Sequence, residues 1–260
     1  MADSDELYRQ RDRADSFGGV ARLYDQHRPR YPEPMLDELV GSAAVRVLDV
    51  GAGTGIASRQ LLGRGVELLA LEPDSRMASI AAEHGIDVEV ATFEDWDDAG
   101  RTFDVILFAQ SFHWVDPVVA LPKIRRLLAD GGRLALAWNR QFAVSPSRAD
   151  FAEVYRDFLD PASPLVTATP TGGTGSGMDS ADVVAELEAA GFAVQQLIYE
   201  RGEQYSREQW LDLVFTYSNH LVLPADRAAE MRSRLAAVIG DGGVQVGGDT
   251  LLIVARPVIR

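Results

Sequence analysis

VLDVGAGTG, residues 47–55, is an apolar run that carries an acid, Asp49, and then breaks into three alternating glycines. The residues that follow, IASRQLL, have the spacing of an amphipathic helix, so the stretch reads as strand, turn, helix. Glycines in such a turn let backbone approach a ligand where a Cβ would be in the way. A turn built for a pyrophosphate has the spacing G-x-G-x-x-G. Here Gly51, Gly53 and Gly55 are followed by Ile56, which is the wrong spacing for that ligand.

Outward from this turn the pattern repeats. VRVLDV, VELLALE, IDVEVA, FDVILFAQ and RLALAWN read as strands, and IASRQLLGRG, SRMASIAAEHG and VVALPKIRRLLADGG read as helices between them. Runs such as VILFA are apolar on both sides, as expected for parallel strands covered on two faces. The expected fold is α/β, a doubly wound parallel sheet. Ahead of it, FGGVARLYDQH and PEPMLDELV read as short helices, and residues 1–16 as frayed or weakly helical. After Asn139 the rhythm changes to helices at 151–160, 180–191, 206–221 and 225–240, with strands at 192–205 and 249–260. A Gly-, Pro-, Ser- and Thr-rich segment, 161–179, reads as a mobile loop.

Composition narrows the function. The chain has 260 residues, no cysteine and a net charge of −14. An acidic surface repels phosphate backbones and anionic lipid, which argues against nucleic acid and membranes as partners. The polar start and the lack of a long apolar run give the expectation of a cytoplasmic protein. No His/Asp cluster has metal-ligand spacing, so no metal is expected; the oligomeric state is not readable.

Twenty-one residues past Gly51, the run VELLALE ends in Glu72. An ionised carboxylate has two acceptor oxygens and can take both hydroxyls of a ribose. Asp49 suits a cationic group better than a phosphate. A ligand with an amino-acid end, a ribose and no phosphate satisfies both acids, which points to S-adenosylmethionine.

In order and spacing, FGGVARLYDQHRPRYP, VLDVGAGTG, LEPDSRM, ATFEDW, FDVILFAQSFHWVD and LLADGGRLALAWN resemble the class I S-adenosylmethionine-dependent methyltransferases. The branch they look most like is the small-molecule, trans-aconitate methyltransferase-like one. The resemblance implies a seven-stranded, mostly parallel sheet with its last strand antiparallel, N-terminal lid helices and a helical insertion near the C-terminus. It implies one domain over 1–260: lid at 1–42, cofactor core at 43–140, acceptor-side helices and final strands at 141–260. Asp49, Gly51, Ala52, Gly53 and Thr54 would cradle the methionine part, Glu72 the ribose, and Pro73, Phe93 and Glu94 the adenine. Thr92 stands where relatives often carry Asp. Ala109 and Gln110 would offer carbonyls to the ammonium group, with Tyr24 lying over the cofactor. S-adenosylhomocysteine would be the product.

His113 and Trp114 are then expected at the mouth, His113 as a general base or a structural residue. Arg28, Tyr31, Arg140, Tyr217 and His220 are the candidates for a small-molecule acceptor, most simply a hydroxyl or a carboxylate. Two rival readings exist: a non-catalytic S-adenosylmethionine-binding protein, and an NAD-dependent oxidoreductase, against which Ile56 counts.

Overall fold

The computed structural model describes residues 17–41, 45–167 and 180–258. The reading of residues 1–16 falls outside them, as does most of the expected loop, 168–179. Seven strands form one sheet in the order β3-β2-β1-β4-β5-β7-β6. They are β1 (Arg46–Val50), β2 (Glu67–Leu71), β3 (Val88–Glu89), β4 (Phe103–Ala109), β5 (Leu128–Ser145), β6 (Phe192–Tyr205) and β7 (Val244–Pro257). The pairs β1–β2, β1–β4, β2–β3 and β4–β5 are parallel. β7 runs antiparallel to both β5 and β6, so the last strand in sequence is inserted between its neighbours with reversed direction.

Side chains alternate across the strands, and both sides are apolar. Val47, Leu68, Ala70, Val105, Leu107, Ala135 and Ala137 share one core, while Leu48, Leu69, Leu71, Ile106, Phe108, Leu136 and Trp138 share the other. A sheet apolar on both faces needs helices on both. Helices α2 (Glu33–Val40) and α3 (Ile56–Leu62) cover the first face through Met35, Leu36, Leu39, Ile56 and Leu61. Helices α5 (Pro117–Leu127) and α8 (Ser180–Ala189) cover the second through Leu121, Ile124, Leu127, Val183 and Leu187. Helix α1 (Ala21–His27) follows a 3₁₀ turn, Phe17–Val20, and packs through Ala21 against Met77 and Ile80 of α4 (Ser75–Glu83).

Several readings change. The helix expected over 118–132 stops at Leu127, because Leu128 turns extended and pairs with Phe103; the Asp-Gly-Gly that follows lies within β5, where the β4–β5 register shifts, instead of forming a helix cap. β5 then continues six residues past Asn139, pairing with a β7 that starts at Val244. Part of the expected loop is helical, with α7 spanning Pro164–Thr167 and Val166 buried. β5 and β7 carry a third core, in which Ala143 and Val246 pack with Phe151 of α6 (Arg148–Tyr155), Trp210 of α9 (Arg207–Val214) and Leu235 of α11 (Ala225–Ile239).

The helix expected over 206–221 breaks in two, α9 and α10 (Ser218–Leu221). Buried Thr216 turns its hydroxyl back onto the Leu213 carbonyl at 2.6 Å. Its own carbonyl is taken by the Arg28 side chain at 2.9 Å rather than by the next helical turn. A local side-chain bond of this kind competes with helix continuation.

Gly55 closes the glycine turn in the left-handed region, φ +81°, and a Cβ there would lie 2.1 Å from Ile86 Cδ1. Gly55→Ala therefore combines backbone strain with overpacking and should cost on the order of 1–3 kcal/mol. Urea denaturation at constant slope reads this directly; an unchanged midpoint would refute it.

Candidate functional site

The tips of β1 and β2 are joined by their own backbone. The N–H groups of Gly51 and Ala52 both donate to the Leu71 carbonyl, at 2.7 and 3.1 Å. The Gly53 N–H donates to Glu72 Oε2 at 2.8 Å, and the Asp74 N–H to Glu72 Oε1 at 2.9 Å. The sequence suggests that the glycine turn presents its N–H groups to a ligand. In the folded chain those of Gly51, Ala52 and Gly53 are engaged inside the turn, which leaves no phosphate cradle among them.

What the turn presents is acid. Asp49 is fully buried; its Oδ2 accepts from Ser58 Oγ at 2.6 Å, and its Oδ1 has no partner among the described residues. Burial pushes the Asp49 carboxyl up to about 6 against the pull of Ser58. Burial likewise lifts Glu72 to about 7, opposed by the N–H groups of Asp74 and Gly53. An orphan carboxylate oxygen favours a cationic or donor group, so the residues fit the amino-acid end and ribose of an adenosyl sulfonium and would repel a pyrophosphate. Each Glu72 oxygen keeps capacity for a second donor.

β4 supplies the opposite wall. Gln110 adopts φ +62°, with its N–H on the Ala137 carbonyl (2.8 Å) and its Nε2 on the Asn139 carbonyl (3.1 Å). A left-handed non-glycine residue at a strand end is a strained position. Next to it, Ser111 donates to the Val50 carbonyl at 2.5 Å, and its Cβ would be 2.6 Å from a Cβ at Gly51, so that glycine is needed for the two tips to close. A 3₁₀ turn, Phe112–Trp114, follows. Phe112 is buried against Phe108, while His113 and Trp114 stay half-exposed with ring centroids 4.9 Å apart. Trp114 meets Phe17 edge-on, and Phe17 meets Tyr24; a Cβ at Gly53 would come 3.9 Å from Tyr24. These rings carry the lid helix across the glycine turn.

The other expected residues divide. Phe93 is buried against Phe108, so only its backbone is left for a ligand, and its carbonyl receives Lys123 Nζ at 2.7 Å. Glu94 Oε1 accepts the Asp116 N–H at 3.0 Å, Pro73 is exposed, Thr54 is buried, and Ala52 and Ala109 are half-buried. Tyr31 is buried and clamped to Gln60 by two 2.9 Å bonds. Arg28 lies between Tyr24 and Tyr217, its Cζ 4.7 Å from each ring centroid, and His220 is buried beyond Tyr217. Arg140 is already paired with Asp249 at 2.6 Å, because the long β5 brings it into register with β7; it is therefore poorly placed as a cation for an acceptor.

Sequence reasoning misses Ser58, Ser111, Lys123, Asn139 and Arg201. Asn139 donates to the Pro29 carbonyl at 3.3 Å and accepts from Arg201 (2.8 Å) and Thr250 (2.6 Å), fixing the segment after Arg28. A polar serine on the buried face of an apolar helix was the one available hint, for Ser58. Among the described residues no group of three or more His, Asp or Glu could hold a metal, and no helix is long and apolar enough to cross a membrane.

The raised acids give a stability test. A carboxyl whose folded pKa lies above its unfolded value binds more protons when folded, so stability falls as pH rises from the unfolded pKa to the folded one and stays at the lower level above it. For Glu72 the window runs from about 4.5 to about 7, and for Asp49 from 3.8 to about 6. Glu72→Gln should therefore gain stability relative to wild type as pH rises through this window, by on the order of 2–3 kcal/mol. Unfolding free energies at pH 5 and 8 check it; a pH-independent difference would rule it out.

Comparison with known proteins agrees with this geometry. Residues 48–136 match the family model described as a methyltransferase domain. An uncharacterized methyltransferase of Mycobacterium tuberculosis is 40% identical over 131 residues, covering 50% of this chain and 54% of that one. The chain thus aligns with about half the length of these curated relatives. A solved structure from Anaeromyxobacter dehalogenans, assigned as a type II methyltransferase, superposes with TM-score 0.58 at 22% identity over 89% of this chain and 99% of that one. A phosphoethanolamine N-methyltransferase of Haemonchus contortus, solved with S-adenosylhomocysteine, gives TM-score 0.54 at 12% identity over 93% and 58%. These two likenesses establish the fold. The strand order, the acid-lined glycine turn and the matched segment lead to one conclusion: residues 48–136 are similar to a methyltransferase domain, on a class I, Rossmann-like methyltransferase fold whose residues fit S-adenosylmethionine as cofactor.

Proposed function

We propose that the protein transfers a methyl group from S-adenosylmethionine to an oxygen of a small-molecule acceptor, a hydroxyl or a carboxylate. The observation that carries this reading is the orphan Asp49 Oδ1, which has no donor among the described residues, in a turn where the N–H groups of Gly51, Ala52 and Gly53 are engaged. Asp49 and Glu72 would hold the ammonium and ribose ends, with the backbone at Ala109–Gln110 and Phe93–Glu94 beside them. The bound cofactor supplies an electrophilic methyl on a sulfonium. This chain's task is then to align an acceptor oxygen with it and exclude water. Tyr24, Phe17 and Trp114 would cover the site, the Trp114 face suiting a cationic sulfur. His113 would take the proton of a hydroxyl acceptor, whereas a carboxylate needs no base and would lean on Arg28, since Arg140 has its own partner. The single-domain layout, with acceptor-side residues Tyr31, Tyr217 and His220 supplied by lid and C-terminal helices, belongs to the same proposal, as does likeness to the trans-aconitate branch.

A labelled-methyl screen of small hydroxy and carboxy compounds tests the activity; binding of S-adenosylhomocysteine without turnover on any of them would favour a non-catalytic binding protein, and binding of NAD instead would overturn the reading. Because the ligand would pair with ionised Asp49 and Glu72, affinity for S-adenosylhomocysteine should rise between pH 5.5 and 8, up to about tenfold for each pKa unit by which the ligand lowers a carboxyl. Once an acceptor is found, His113→Ala should lower kcat about 10²-fold or more for a hydroxyl. For a carboxylate it should leave kcat unchanged, while Arg28→Ala raises KM.

A further inference from the structure

The buried face of α3 consists of Ile56, Ala57, Leu61 and one polar residue, Ser58, which is fully enclosed. An alanine in its place would have the higher helix propensity and no hydroxyl to take out of water. The hydroxyl is used on the acid that precedes the glycine turn. Ser58 Oγ donates to Asp49 Oδ2, nine residues earlier in the chain, at 2.6 Å.

A donor fixed on Oδ2 sets the plane of the carboxyl group and leaves Oδ1 as its free oxygen among the described residues. It also favours the charged form, because a hydrogen bond given to a carboxylate stabilises the anion over the acid. Burial works the other way, and the balance leaves Asp49 at about 6. The Ser58 backbone N–H assists the hydroxyl, and any residue at 58 other than proline keeps that N–H. The other groups that sense Asp49 do not hold it ionised. Glu72, at the tip of β2, is of like charge, and the buried Tyr31 phenol is neutral, raised well above its usual range. Among the described residues no Lys, Arg or His pairs with Asp49, so the Ser58 hydroxyl is the side chain on which its ionisation depends.

We propose that Ser58 is a positioning residue of the cofactor site: its hydroxyl orients Asp49 and holds it as the carboxylate that meets the ammonium end of S-adenosylmethionine. This rests on the methyl-transfer reading above and names what keeps its buried acid ionised near neutral pH. Ser58 itself acts only through Asp49.

The test compares the full-length wild type with Ser58→Ala and Ser58→Thr, by urea unfolding without ligand and by calorimetry with S-adenosylhomocysteine. Loss of the hydroxyl should move the Asp49 ionisation equilibrium about tenfold towards the acid. A raised carboxyl lowers stability as pH climbs from its unfolded value to its folded one, 3.8 to about 6 in wild type. In Ser58→Ala that climb ends higher, so its folding equilibrium should lose a further factor of about ten relative to wild type between pH 5.5 and 8. Its affinity for S-adenosylhomocysteine should be about fivefold below wild type at pH 6 and within about twofold of it at pH 8.5, where Asp49 is ionised in both. Ser58→Thr, which keeps the donor, should follow the wild-type pH dependence in both measurements. In an Asp49→Asn background, Ser58→Ala should have no pH-dependent effect on unfolding. A Ser58→Ala deficit equal at every pH overturns the proposal, since a packing defect does not titrate. If wild type does not bind S-adenosylhomocysteine, the cofactor reading fails, and with it the ligand role of Ser58, whatever the unfolding comparison shows of its bond to Asp49. If wild type binds and the Ser58→Ala deficit is flat with pH, the role of Ser58 fails and the cofactor reading stands.

Discussion

The Leu71 carbonyl accepts two N–H groups, and Glu72 beside it accepts two more; together they fasten the glycine turn after β1 to the tip of β2. Much else depends on this fastening. It uses up the turn's donors, so the crevice presents carboxylate instead of amide N–H. It also holds Asp49 in a buried place where its second oxygen has nothing to accept from among the described residues. A turn with the same glycines but with its N–H groups pointing outward would be an anion site. The selectivity for a phosphate-free ligand therefore comes from where the backbone bonds go.

Ser111 completes the crevice from the other side. Its hydroxyl reaches back to Val50 and its Cβ occupies the space a side chain at Gly51 would need, so β4 approaches β1 at its tip. The left-handed Gln110 turns the chain sharply just before this contact, and Asn139 on the next strand holds the Gln110 side chain. Strain at a strand end that three strands jointly enforce is a preorganised wall.

Above the crevice the lid helix is docked mainly by polar contacts. Asp25 binds Arg59 at 2.7 Å and His84 at 3.1 Å, His27 approaches Asp212 at 3.6 Å, and Arg22 meets Glu83 at 3.1 Å. Burial would raise the Asp25 carboxyl, yet the bonds from Arg59, Thr54 and His84 outweigh it and leave the group below its usual range. Exposed pairs such as Arg22–Glu83 contribute little. The apolar part of the contact joins Ala21, Phe17 and Tyr24 to Met77 and Ile80.

The sequence by itself determined the β-α rhythm, the glycine turn and the acid that ends β2, because these depend on periodicity and on residue types that few other arrangements tolerate. It also placed Tyr24 on a short helix ahead of the sheet, through its neighbours rather than through any contact of its own. Only the tertiary structure decided which polar groups meet. Arg140 and Arg28 look alike along the chain, yet register with β7 gives one a carboxylate, whereas the other is set between two tyrosine rings. The break at Thr216 is equally silent in the sequence, since it needs a guanidinium from 188 residues away to take the carbonyl a helix would use. Local pattern fixes a residue's own backbone, but partners distant in the chain are assigned by packing, and the surroundings of Arg28 and Arg140 are built almost wholly from such partners.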